Sequence, residues 1–234
     1  MSESKLVIDL GKITDKMKMK FTLVLESSNE KFSTNSIKFY NYGNSDYFKV
    51  SPRPLLSFEI TQTNDKSDFC GFCVTKFLLA RLIFELKEFI EVFKEEDLFY
   101  IDSNGELSIA KIKQSEHEKI IPVCSNRTIC LTPSVIHVKD DGGTGRKDYE
   151  GCILYVDNRS MYTCLTYTEL NFLLYSLEKV DFDGWSIQLM NTFKLYNKDI
   201  QKGSFNNTIT MQSERTLEGR GFIMENHKEI PNLD

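Results

Sequence analysis

One short stretch of this chain recurs at a shift of 91 residues. Phe72-Cys73-Val74-Thr75 aligns with Thr163-Cys164-Leu165-Thr166, from position 72 to 163. At the same shift Leu79 meets Leu170, Leu82 meets Leu173, Ile83 meets Leu174, Phe84 meets Tyr175 and Leu86 meets Leu177. Each time a run ending in Cys-apolar-Thr passes straight into apolar residues spaced three and four apart. That spacing stacks them on one face of a helix. Each helix pattern also follows several strand-like runs. The arrangement predicts an α+β fold of two pseudo-repeated β-β-β-β-α units. Each antiparallel sheet would be backed by one amphipathic helix and keep its other face uncovered. The expected boundaries are 1–113 for the first unit with a following hairpin and 114–198 for the second unit. A polar, extended or mobile tail is expected over 199–234.

The individual elements follow from local pattern. Met19 to Glu26 alternates, with Phe21, Leu23 and Leu25 on one face of a half-buried strand. Strand-like runs recur at 36–42, 47–50, 55–61 and 68–75, with a proline-bounded corner at Ser51-Pro52-Arg53-Pro54. The N-terminal segment receives no element. Leu79 to Phe93 gives a helix of about five turns, and Asn104-Gly105 predicts a hairpin within 98–112. Strands are expected at 120–124, 128–139, 152–157 and 161–166, with a glycine-rich loop at 140–148. Thr166-Tyr167-Thr168-Glu169 has the form of a capping box ahead of the second helix. Trp185 to Tyr196 suits helix and strand about equally.

Composition excludes several classes. With 41% hydrophobic residues the chain can bury a core, so a disordered protein is ruled out. No apolar run reaches membrane-spanning length, and the first residues lack a signal-peptide pattern. A soluble, intracellular, cytoplasmic protein is expected. The net charge of −5 excludes a basic field over the whole molecule but allows a local basic face. Six cysteines in an intracellular chain of this length read as reduced thiols. Cys70-Gly71-Phe72-Cys73 has no second C-x-x-C to complete a zinc site. Its place before a helix leaves redox chemistry as a minor alternative, and a packed strand Cys73 is the plainer reading. His117, His137 and His227 stand apart from any nucleophile signature. Gly142-Gly143-Thr144-Gly145 is not a phosphate loop. No catalytic residue, metal or cofactor is assigned.

The alternating strands leave one set of side chains outside the core. In the first unit these include Lys38, Tyr40, Tyr42, Tyr47, Lys49 and Arg53. In the second they are Arg127, Lys139, Arg146, Lys147, Tyr149, Arg159 and Tyr162. Acidic residues concentrate on the first helix instead. Cations that meet phosphates, together with rings that stack on unpaired bases, form the usual surface for single-stranded nucleic acid. The same exposed rings on an open sheet would also suit a protein-protein scaffold.

Gly151-Cys152-Ile153-Leu154-Tyr155-Val156-Asp157, then Met161 to Thr166, then Glu169 to Leu177, resembles the positive-cofactor-four/Whirly family of single-stranded DNA-binding proteins. The likeness covers about 30 residues closely and about 150 by plan. It lies in the family's third strand, its fourth strand ending in an apolar-Ser/Thr pair, and its helix. The resemblance implies two units associated through their helices, with curved sheets presented to nucleic acid. It implies a non-enzymatic, sequence-tolerant binder of single-stranded DNA or RNA that is compatible with homo-oligomers. The plan also resembles small acidic viral replication or transcription accessory proteins, whose tails recruit other proteins. The weakly basic strands, acidic total and inter-unit hairpin depart from the family pattern.

Overall fold

A computed structural model describes residues 2–28, 37–39, 48–61, 69–94, 97–124, 127–139, 145–157, 161–199 and 208–212. In chain order the elements are β1 (Ser2–Thr14), β2 (Met17–Ser28), β3 (Ile37–Phe39), β4 (Phe48–Thr61), β5 (Phe69–Val74) and α1 (Lys76–Val92). Next come β6 (Phe99–Ile101), β7 (Leu107–Ile109), α2 (Lys111–Glu116), β8 (Lys119–Cys124), β9 (Arg127–Lys139) and β10 (Arg146–Val156). The last are β11 (Met161–Thr166), α3 (Tyr167–Glu178), α4 (Phe182–Asp199) and β12 (Thr208–Gln212). The protein is α+β, with mostly antiparallel sheets and four helices among the described residues. It divides into two compact units. One comprises residues 1–11, 19–57 and 181–234, and the other 12–18 and 58–180.

One sheet runs β12-β1-β2-β4-β3, and β5 pairs with β4 off that path. Leu6, Ile8 and Leu10 alternate into the core from β1, a strand the sequence did not assign. Phe21 of β2 meets Phe182 and Trp185 of α4 edge-on, with ring centroids 5.2 and 5.4 Å away. That packing decides the ambiguous 185–196 run in favour of helix: Leu189 and Met190 are buried and Ile187 faces out. The expected corner at Ser51–Pro54 is instead continuous strand within β4. A proline pushes the residue before it into extended backbone, so Ser51 and Arg53 continue the strand rather than break it. Within the range expected to be tail, Thr208–Gln212 pairs in parallel with β1, Lys5 opposite Thr208. Residues 213–234 lie outside the described residues.

The second unit holds the four-stranded antiparallel sheet β11-β10-β9-β8, a simple up-and-down order. Ile129, Leu131, Leu154, Val156 and Leu165 alternate onto one face and are buried. Lys119 shares that face, because it pairs with Leu131, and its ammonium reaches Glu88 of α1 at 3.1 Å. α1 packs on β8, and α3 on β10 and β11, so both helices cover this one face. Leu79, Leu82, Leu86 and Phe89 of α1 and Leu170, Leu173 and Leu177 of α3 supply the apolar stripes.

α3 starts as its sequence directs. The Thr166 hydroxyl accepts from the Glu169 amide at 3.3 Å, and the Glu169 carboxylate accepts from the Thr166 amide at 2.8 Å. The two bonds satisfy donors that a helix start otherwise leaves unpaired. Thr75 occupies the equivalent place before α1 in similar extended backbone. It has no such side-chain bond, and with Leu78 as the third helical residue no carboxylate is there to return one. The predicted hairpin is β6–β7, closed by Asp102, whose carboxylate accepts from the Asn104 and Glu106 amides, and by Gly105 at φ +78°. Only a residue without Cβ adopts that left-handed angle at little cost.

Candidate nucleic-acid interface

The face of the β11-β10-β9-β8 sheet turned away from α1 and α3 is built by alternation. Because Ile129, Leu131 and Leu154 point to the helices, their neighbours point the other way. Residues paired directly across antiparallel strands share a face, which defines its rows. One row is Tyr162-Tyr155-Cys130-Ile120, and the next is Cys164-Ile153-Thr132. Along β10 the same parity carries Lys147, Tyr149, Gly151, Ile153 and Tyr155, a line of about 27 Å from first to last.

The Tyr155 and Tyr162 rings lie 5.9 Å apart at a tilt of 48°, both half-buried. Ile120 at the end of their row is 65% exposed. Between them the Cys130 thiol donates to Glu118 Oε1 at 3.1 Å, and the Thr132 hydroxyl donates to Glu118 Oε2 at 3.5 Å. One carboxylate therefore anchors two side chains of this face. Farther along β10, Tyr149 is 42% exposed and Lys147 is exposed beside Val138.

The sequence-selected residues fall into separate groups. Lys147, Tyr149 and Tyr162 share the face just described. Lys139 and Arg146 pair with each other at the end of the β9–β10 hairpin, but on the opposite parity. Like charges set directly opposite repel unless they are compensated. Compensation comes from the next pair in the register, His137 and Asp148. Arg146 Nε donates to Asp148 Oδ1 at 2.8 Å, and Arg146 Nη2 donates to His137 Nε2 at 2.8 Å. His137 Nδ1 lies 2.7 Å from Asp148 Oδ1. An Arg can only donate, so Nε2 is the acceptor in that bond. The Arg146 bond first, then the His137 bond, holds the Asp148 carboxyl below the usual range, and the Arg146 guanidinium is shifted up in return.

Arg127 sits at the other end of the sheet. It bridges the Asp157 carboxylate at 3.4 Å and the Gly71 carbonyl at 2.5 Å, so its role there is structural. In the other unit Lys38 and Lys49 are register partners on β3 and β4, and Arg53 is exposed on β4. Tyr40, Tyr42, Tyr47 and Arg159 lie outside the described residues. Sequence reasoning missed Tyr155 and Ile120. The alternation Cys152, Leu154, Val156 against Ile153, Tyr155 carries the signal for Tyr155. Ile120 needs the β8–β9 register.

Cys70 and Cys73 both belong to β5. Three steps of extended strand separate their Cα atoms by about 10 Å, whereas a disulfide needs roughly 4.4–6.8 Å. Burial pushes the Cys152 thiol strongly up, so it stays protonated and packs as a small apolar group. Among the described residues, no three or more His, Cys, Asp or Glu side chains gather to hold a metal ion, and no helix is long and apolar enough to cross a membrane. No family model, curated protein or solved structure matches this chain.

Proposed function

We propose that the protein is a non-enzymatic, sequence-tolerant binder of single-stranded DNA or RNA, a Whirly-like accessory factor of replication or transcription. The observation that carries this reading is the common parity of Lys147, Tyr149, Tyr155 and Tyr162 on the face turned away from α1 and α3, a face on which Ile136 is buried. Rings on such a platform stack on any base, and a cation at its end meets phosphate, so affinity needs no base-edge readout. The chain acts within the cell, and its C-terminal segment recruits other replication or transcription proteins.

The reading includes a tandem origin. β8, β9, β10 and β11 followed by α3 is one β-β-β-β-α series, and β1, β2, β4 and β5 followed by α1 is another, with β3 as an extra strand. Thr75 and Thr166, 91 positions apart, both stand immediately before their helix in similar extended backbone. This agreement supports duplication.

The test is anisotropy of a labelled oligonucleotide titrated with the full chain at several salt concentrations. Binding at low salt with a steep fall as salt rises supports the proposal. No binding at low salt, or a flat salt response, overturns it. A second reading, a protein-docking scaffold, is favoured by Ile120, a branched apolar side chain that offers no π-face to a base. Protein partners captured on the chain and retained after nuclease treatment, together with no oligonucleotide binding, would select it.

A further inference from the structure

Glu118 precedes β8 by one position. Its carboxylate lies on the face of the tyrosine rows, because the two side chains that donate to it, Cys130 and Thr132, belong to those rows. The thiol takes one oxygen and the hydroxyl the other, so the plane of the carboxylate is held by the sheet itself. Cys130 is in turn the direct ladder partner of Tyr155. Side chains directly opposite one another stand roughly 5 Å apart. A base stacked on Tyr155 therefore has this carboxylate within reach of its edge. The four strands offer no other acid there. β8, β9 and β11 contain no Asp or Glu, and the two of β10, Asp148 and Glu150, hold the opposite parity. An anion beside the rings does nothing for phosphate contacts, which need cations. A carboxylate is an acceptor only, with about four lone-pair positions, more than one thiol and one hydroxyl fill.

We propose that Glu118 ranks the bases stacked beside it, favouring cytosine and the other amino-bearing bases over thymine and uracil. The inference rests on the single-strand reading above and goes beyond it, because rings alone accept any base. Cytosine offers its N4 amino group, for which an acidic side chain is the matching acceptor. Thymine and uracil carry a carbonyl oxygen at that place, and an acceptor set against an acceptor repels. The discrimination thus has an attractive and a repulsive half, as specificity generally does. Stacking on Tyr155 and Tyr162 keeps binding tolerant, and the carboxylate sets an order of preference within it. Cys130 and Thr132 are positioning residues, since they touch the carboxylate and fix where it points.

The test is anisotropy of labelled oligo-dC against oligo-dU of equal length, each titrated with the full chain at low salt and neutral pH. The two bases share one ring size and neither carries a methyl group, so they differ only along one edge. The native chain is expected to bind oligo-dC about fivefold or more tightly, the low end of what one base contact supplies. Glu118→Gln removes the charge, keeps an oxygen for Cys130 and Thr132, and adds an amide group that donates to the uracil carbonyl. The ratio of the two affinities should then fall to about twofold or less, with a native-like melting curve. Thr132→Val, which deletes one of the two donors, should narrow the ratio, and Thr132→Ser, which keeps the hydroxyl, should preserve it. Equal binding of both oligomers by the native chain overturns the proposal and leaves the single-strand reading standing. So does a ratio that Glu118→Gln does not reduce. Absence of binding to either oligomer overturns both.

Discussion

Tyr155 and Tyr162 face each other across the β10–β11 ladder with ring centroids 5.9 Å apart, on the side of the sheet away from α1 and α3. The pair sits where the proposed nucleic-acid platform is most apolar. Replacing either ring with alanine should cost about 1–3 kcal/mol of oligonucleotide affinity. The double variant should lose less than the sum, because neighbouring rings couple. Anisotropy at low salt measures this, and unchanged affinity in both single variants would remove the pair from the interface.

The cations make a separable prediction. Lys147 shares the parity of Tyr155, and Arg127 is occupied by Asp157 and the Gly71 carbonyl. Lys147→Ala should reduce the salt slope by about 0.7, the share of one phosphate contact on a single strand. Arg127→Ala should leave the slope unchanged and lower the urea midpoint. The reverse pattern would mean that nucleic acid lies at the β8–β9 end of the sheet.

The capping asymmetry is testable by denaturation. Thr166→Ala removes the hydroxyl that accepts from Glu169 and should destabilise the protein by about 1 kcal/mol. Thr75→Ala, at the equivalent position without a side-chain bond, should change stability by only a few tenths. Equal losses would contradict the difference between the two helix starts.

The strength of these signals explains what was legible in sequence. Leu82, Leu86 and Phe89 recur at helical spacing over a long run, so α1 was readable as a helix though expected from Leu79 rather than Lys76, and Thr166 with Glu169 forms a local reciprocal pair that made the start of α3 readable. The β8–β11 strands were readable from alternation bounded by turn residues. β1 was not: Val7 among Leu6, Ile8 and Leu10 blurs the period of two. α4 was ambiguous because Leu189 and Met190 are both buried beside an exposed Ile187, and only Phe21 on β2 decides the matter. The site was half legible. Parity along β10 is local, but whether Arg127 or Arg146 is spoken for depends on Gly71, Asp157, His137 and Asp148, which only the register brings near.

The hairpin-end network should respond to pH. The Asp148 carboxyl is held below its ordinary value by Arg146 and His137, so the folded state binds its proton more weakly than the unfolded chain does. That contribution is full above the unfolded Asp value, near pH 4. It is lost as pH falls through the lower folded value. Asp148→Asn should therefore lower the urea midpoint by a constant amount from about pH 5 to 7, and the gap should close below about pH 4. A gap that persists in acid would assign the effect to packing.

Gly151 gives the most severe expectation. It stands opposite Thr166 on β11 and Ser134 on β9, and a Cβ there would lie within 2.5 Å of Ile136 Cγ1 and closer still to the Leu165 carbonyl oxygen. The Ile136 side chain could turn away, but the Leu165 carbonyl is backbone and is held by its strand. Gly151→Ala must therefore push β11 away from β10, at a cost of about 1–3 kcal/mol or more. Because Tyr155 and Tyr162 oppose each other across the same ladder, the displaced strand also separates the rings. The variant should lose oligonucleotide affinity at temperatures where circular dichroism still reports a folded chain. Retained affinity alongside reduced stability would show that the two strands need not stay in register for binding.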